Sequence, residues 1–186
     1  MDDQDLLVRP DSDTASDTPQ ARTLPANVEA EAAFLGAVLI DNRLVEELPI
    51  MIRPEHFFEP VHQRVYERIL TLLDRNAVVT PVTLKPYFEA DEALKQLGGI
   101  KYLAQLTADG QGLLAPRELA QQIYDLALLR ELVGVGRDLV ENALDTSQDV
   151  EPMRQIEGAE ARLFEVAEGA VSENTGTSFR SASHEA

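Results

Sequence analysis

In the stretch EHFFEPVHQRVYERIL, residues 55–70, two of the chain's three histidines lie close to carboxylates. Glu59 and His62 stand at the Glu-x-x-His spacing with which di-iron carboxylate bundles project two ligands from one helix onto a shared metal. A helical metal-dependent hydrolase using this pair is the enzymatic possibility. Such a site needs a second Glu-x-x-His, and neither His56 nor His184 has a Glu three residues before it. Pro60 suits the first turn of a helix, where its missing N–H is not needed. That places Glu59 at the cap, out of line with His62. The pattern therefore reads as helical core, with His62 packed beside Phe57, Phe58 and Val61 and its ring nitrogens bonded to backbone or carboxylate.

Other chemistry finds no footing. A phosphate loop ends in Gly-Lys-Ser/Thr, its lysine reaching the phosphates. The three lysines here, Lys85, Lys95 and Lys101, are followed by Pro, Gln and Tyr. Several serines lie in the terminal segments, where nothing orients a base against them. Cysteine is absent, which removes disulfides, thiolate zinc sites and cysteine nucleophiles. No catalytic, cofactor-binding or metal-ligating residue is assigned, and no enzymatic activity is expected of this chain by itself.

Charge bounds the partners. The 33 acidic and 16 basic residues give a formal net charge of −17. Residues 1–23 carry 6 acidic and 2 basic groups, 24–112 carry 13 and 8, 113–170 carry 12 and 5, and 171–186 carry 2 and 1. No segment is net positive, so none offers the cationic footprint that nucleic-acid backbones require. There is no long apolar run for a membrane span, and the acidic start MDDQDLLVRPDSD resembles neither a secretory signal nor a transit peptide. A cytoplasmic location is expected.

The elements that position these residues are helical throughout. Residues 1–23, rich in Asp, Ser, Thr and Pro, read as a disordered acidic tail. Asn27 can cap a helix with Glu29 and Glu31 in its first turns, where the helix dipole favours negative charge. Val28, Leu35, Val38 and Leu39 mark one face of it, and Asp41-Asn42 ends it. A short helix through Leu44, Val45 and Leu48 stops at Pro49. Val61, Val65, Ile69, Leu72 and Leu73 give the next helix an apolar stripe up to about Asn76. Thr80-Pro81 opens another helix, a turn around Leu94 and Leu97 closes at Gly98-Gly99, and IKYLAQLTADG supplies a short last one. The sum is a compact head over residues 24–112.

From Pro116 the pattern changes to one long helix, 116–145, with two apolar stripes. Leu119, Ile123, Leu126, Val133, Val140 and Leu144 form one, and Leu128, Leu132, Val135 and Leu139 the other. A helix apolar on two sides must be covered on two sides. After DTSQDVEP a second helix, bearing Ile156, Ala159, Leu163 and Val166, completes a hairpin over 113–170 and can cover only one stripe. Gly134 and Gly136 each disfavour the helix by about 1 kcal/mol relative to Ala, which points to a close helix approach there. Beyond Gly169 the Ser-, Gly- and Thr-rich composition reads as the start of a linker, 171–186. The fold class is all-α: a multi-helix head followed by a long helical hairpin.

LPANVEAEAAFLGAVLIDN, EHFFEPVHQRVYERI, the LGGIKYL run and AEARLFEVAE resemble, in order and spacing over residues 24–170, the N-terminal region of the DnaB-type bacterial replicative helicases. The resemblance implies a collar domain of a hexameric ring, commonly a trimer of dimers with hairpins paired between subunits. It also implies that the collar receives primase, with a helicase loader as a further partner. In that family a linker leads to a RecA-like motor that hydrolyses ATP with Mg²⁺ and unwinds DNA 5′ to 3′. The Walker lysine, magnesium-binding residues, arginine finger and DNA-binding loops of that motor have no counterpart among these residues. A fragment, or a naturally shortened relative, is the expectation. On the resemblance and the unsatisfied stripe together, Leu128, Leu132, Val135, Leu139, Ile156 and Leu163 are the candidate surface for self-association and primase docking. Without the resemblance, the same residues describe a free-standing helical adaptor that dimerises through its hairpin.

Overall fold

The computed structural model describes residues 23–109, 115–145 and 151–181. The acidic tail up to residue 22, residues 110–114, the hairpin turn at 146–150 and residues 182–186 lie outside the described residues. All elements described are helical: α1 (Val28–Ile40), α2 (Leu44–Glu47), a 3₁₀ turn (Pro54–His56), α3 (Pro60–Leu73), α4 (Pro81–Phe88), α5 (Glu92–Gln96), α6 (Ile100–Asp109), α7 (Pro116–Leu144) and α8 (Pro152–Ser181). α8 therefore continues into the segment read as a linker.

Local chemistry starts and stops these helices. The Asn27 side chain accepts the Ala30 N–H at 3.0 Å. Thr80 accepts the Thr83 N–H at 3.2 Å while the Thr83 hydroxyl accepts the Thr80 N–H at 2.8 Å, a reciprocal cap with Pro81 at the first helical position. α3 ends where Asn76 turns left-handed, φ 55°, letting the Ala77 N–H reach back to the Leu72 carbonyl at 3.0 Å. Gly98 and Gly99, with φ of 107° and 64°, make the tight turn between α5 and α6. Both values lie where a side chain would be strained.

α1 is the axis of the head. It packs against α3, α6 and α7, so it has apolar neighbours on several sides. Ala30, Phe34, Leu35, Ala37, Val38 and Leu39 are buried, while Val28, expected on the inner face, is 40% exposed. Phe34, Phe57 and Tyr66 form a ring cluster with centroids 5.0–6.1 Å apart. Asn42 fastens the far end of α1. Its amide accepts the Val79 N–H and donates to the Val79 and Val38 carbonyls. Arg64 of α3 pairs with Asp91, whose carboxylate also caps α5 at Leu94.

The two stripes of α7 meet different fates along its length. Leu119 and Ile123 close the head core with Ala120 and Tyr124. Farther along, Val135 is the only buried residue of α7 beyond Ala127 among those described, and α8 lies against its face. Val140 and Leu144 of the first stripe are exposed.

Candidate functional site

The Glu-x-x-His pattern folds into the head, but not as a pair. Glu59 is the cap of α3, its side chain accepting the Val61 N–H. The carboxylate that meets His62 is Glu31 of α1, at 2.8 Å from Nδ1. The other ring nitrogen lies 2.6 Å from the Tyr102 hydroxyl of α6. Glu31 also accepts the Phe58 N–H at 2.6 Å and the Glu59 N–H at 3.2 Å. Glu31 and His62 are 2% and 0% exposed.

A carboxylate in this position satisfies two backbone donors that begin α3 and orients a histidine that reaches a third helix. An ionised carboxylate only accepts, so Nδ1 donates to it. Both oxygens of Glu31 and both ring nitrogens of His62 are engaged within the chain, and the cluster has no open coordination position. Among the described residues no group of three or more His, Asp or Glu side chains is placed to hold a metal. The cluster is a polar rivet joining α1, α3 and α6.

The sequence places His62 in the core, as observed, but presents Glu31 only as a first-turn acid. The available signal is its spacing: Glu31, Leu35 and Val38 fall at i, i+4 and i+7, on one face of an apolar helix.

A second cluster joins the head to the hairpin. Arg130 of α7 donates to the Pro25 carbonyl at 2.9 Å and the His56 carbonyl at 2.6 Å, with its guanidinium 5.8 Å from the Phe58 ring centre. The His56 ring lies edge-on to Tyr124 at 5.2 Å, and its Nδ1 accepts the Arg53 N–H. Burial, reinforced by the Arg53 and Arg130 charges, lowers the His56 pKa to about 4. The Tyr124 hydroxyl is buried with no hydrogen-bond partner among the described residues, and burial pushes its phenol up.

The hairpin seam is open by comparison. Arg162 pairs with Asp138, and the Gln155 amide donates to the Asn142 carbonyl at 2.8 Å. Between the helices lie two open hollows of about 430 and 370 Å³, the first reaching the head at His56 and Tyr124. At Gly134 and Gly136 nothing stands within 4 Å of where a Cβ would be. The close helix approach expected at these glycines does not occur within the chain: α8 stands off at Gly134, and Gly136 points away from it.

Of the six candidate surface residues, two are taken up internally. Val135 is buried in the seam, 7% exposed, and Leu128 packs against the head core. Leu132, Leu139, Ile156 and Leu163 stay 40–49% exposed. At about 3.6 residues per turn, Leu132 and Leu139 flank the α8-facing side of α7, and Ile156 and Leu163 flank the α7-facing side of α8. In an antiparallel hairpin these flanks share one side, so the four line one face. Leu129, Val140 and Leu144 extend it around α7, 47%, 60% and 75% exposed.

The family described as DnaB-like helicase N terminal domain matches residues 23–125. The replicative DNA helicase DnaB of Rickettsia conorii is 37% identical over 166 residues, 89% of this chain and 34% of that protein. DnaB of Geobacillus stearothermophilus is 28% identical over 148 residues, 79% of this chain and 32% of that protein. The chain thus spans about a third of the length of the curated relatives it matches. In structure it is similar to the N-terminal domain of DnaB helicase from Mycobacterium tuberculosis, with TM-score 0.68, 26% identity, and 77% of this chain covering 99% of that one. A DnaB-like replicative helicase studied for its interactions with primase shares the fold, with TM-score 0.59 and 24% identity over 86% of this chain and 36% of that one. Among the described residues no helix is long and apolar enough to cross a membrane. The chain belongs to the DnaB-like helicase N-terminal domain family.

Proposed function

We propose that this chain is the assembly and docking domain of a replicative DNA helicase, pairing subunits of a hexamer collar through its hairpin and presenting a surface to primase. The observation that carries the reading is the exposed apolar face of Leu132, Leu139, Ile156 and Leu163, set on a hairpin whose own seam buries little. A face of this kind is stabilised by covering it, and exposed contiguous apolar surface marks association sites. Two paired hairpins make a groove that one lacks, suited to a helical primase domain docking helix-in-groove. The primase assignment draws on the relative studied with its primase. In the whole protein, which works in the cytoplasm, a motor domain using ATP and Mg²⁺ unwinds duplex DNA 5′ to 3′, and a loader is a further partner.

The test is sedimentation of wild type, Leu132→Glu and Leu139→Glu at matched concentrations, with circular dichroism alongside. A charge placed in the covered face shifts the chain toward monomer while the head stays folded. Unchanged mass in both variants, with wild type self-associating, moves the contact elsewhere. Calorimetric titration of the cognate primase domain then gives weaker binding to the monomeric variant, and equal affinity returns docking to the head.

A further inference from the structure

The hollow where the hairpin meets the head encloses about 430 Å³ between α7 and α8. Its α7 wall extends from Tyr124 through Ala127, Leu128 and Glu131 to Val135, about 16 Å at about 1.5 Å per residue. Glu165 and Val166 stand on the α8 wall, and the head adds Glu55. Gly134 and Gly169 also line it, one on each helix, with nothing within 4 Å of where a Cβ would be. Two observations bear on what fills this space. The first is charge. Arg162 is tied to Asp138, and Arg53 lies 3.6 Å from Glu55. Glu131 and Glu165 take part in no ion pair among the described residues, so both walls carry uncompensated negative charge. The second is the Tyr124 hydroxyl. The residue is 3% exposed, and the hydroxyl is buried without a hydrogen-bond partner among the described residues. Burial pushes its phenol up, with Glu131 adding to that effect and Arg53 opposing it, so the hydroxyl stands among the hollow's own charges. Buried polar groups are almost always hydrogen-bonded, and a neutral phenol oxygen accepts from an ammonium group.

We propose that this hollow binds a linear aliphatic polyamine, with its ammonium groups on Glu131, Glu165 and the Tyr124 hydroxyl and its methylenes along Ala127, Leu128, Val135 and Val166. The arrangement of the carboxylates selects such a ligand over other cations. Among the described residues no three acids or histidines gather to hold a metal ion. The acids are instead spread along a groove, as the charges of a polyamine are spread along its chain. Apolar walls between them favour methylenes over a hydrated ion. An anionic ligand is disfavoured, because the two arginines present are already engaged by carboxylates while two further carboxylates are not. A bound chain bridges α7 and α8 beside the head and fills part of a seam that buries little by itself. The site lies within one chain, so it stands or falls independently of subunit pairing.

Calorimetric titration of the chain with spermidine tests the site, at a salt concentration of about 0.15 M that screens exposed charges more than about 8 Å apart. Saturation at one spermidine per chain is expected. The double variant Glu131→Gln/Glu165→Gln should bind about tenfold more weakly. Glu46→Gln/Glu89→Gln removes the same charge from the head surface and should stay within about twofold of wild type. Gly134→Leu fills the hollow at unchanged net charge and should abolish binding. Gly169→Leu repeats that test from α8 if the first change unsettles the hairpin, which circular dichroism shows. Tyr124→Phe deletes a hydroxyl that has no partner in the free chain. It should leave stability unchanged or slightly higher, yet weaken spermidine binding about threefold or more. A titration that never saturates, equal weakening by the two charge pairs, undiminished binding by both glycine variants, or undiminished binding by Tyr124→Phe would overturn the site.

Discussion

The head and the hairpin contrast in how they use buried surface. In the head, α1 is covered on several sides, three aromatic rings interlock, and a buried carboxylate is bonded by two backbone N–H groups and a histidine. In the hairpin, two helices of comparable length meet with one well-buried α7 residue, hollows between them, and leucines facing water. Burial of apolar surface is the main favourable term in folding, at about 25 cal/mol per Å². The head therefore carries its stability internally. The hairpin leaves much of this stabilisation unrealised within the chain, which is what the proposed pairing of subunits would draw on.

The sharpest way to break the head is through its rivet. Glu31→Ala leaves the Phe58 and Glu59 N–H groups and the buried His62 without the carboxylate that accepts from them. A loss of about 3–5 kcal/mol of head stability is expected by denaturant titration. His62→Ala should follow at about 2–4 kcal/mol, combining a cavity with lost hydrogen bonds. Tyr102→Phe removes a single hydroxyl and should cost about 1 kcal/mol. A tolerated Glu31→Ala would show that the cluster is not what joins α1, α3 and α6.

The junction gives a pH-dependent handle. His56 titrates near 4 when folded and near 6.5 as a free side chain, so the unfolded chain binds the extra proton in between. Its contribution is complete above about pH 6.5 and lost as pH falls toward 4, a loss of roughly 1–3 kcal/mol. The slope of stability against pH over that window should shrink in His56→Gln. An unchanged slope would assign the effect to carboxylates. Smaller still is Arg130→Lys, where a point charge replaces a fork that reaches two carbonyls. The expected cost is about 1 kcal/mol, with a broadened distance distribution between spin labels at Glu67 and Glu160. An unbroadened distribution would mean that Arg130 does not set the angle between head and hairpin.

What was legible in the sequence was mostly what is decided within a few residues. Asn27, Glu59 and Thr80 cap helices because a cap is a local bond, and Gly98-Gly99 marks a turn because of its own backbone. The burial of Glu31 was not legible in this way. It follows from α1 being surrounded, which depends on α3 and α6 arriving from 30 to 70 positions away. The hairpin shows the same divide. Both stripes of α7 were visible as periodicity. Leu119 and Val140 share one stripe, however, and only the fold decides that the first meets the head and the second meets solvent. The exposed face and its candidate residues Leu132, Leu139, Ile156 and Leu163 emerge only once Leu128 and Val135 are accounted for internally.

The contrast between a self-sufficient head and a hairpin proposed to depend on a partner is tested most directly by amide hydrogen exchange of the wild-type chain across a wide range of concentration. Protection in the α7 segment 132–144 and the α8 segment 153–163 should rise steeply as the chain associates, while α1 and α3 exchange at the same slow rates throughout. Hairpin protection that is high and independent of concentration, or a head whose protection rises together with it, would contradict the account.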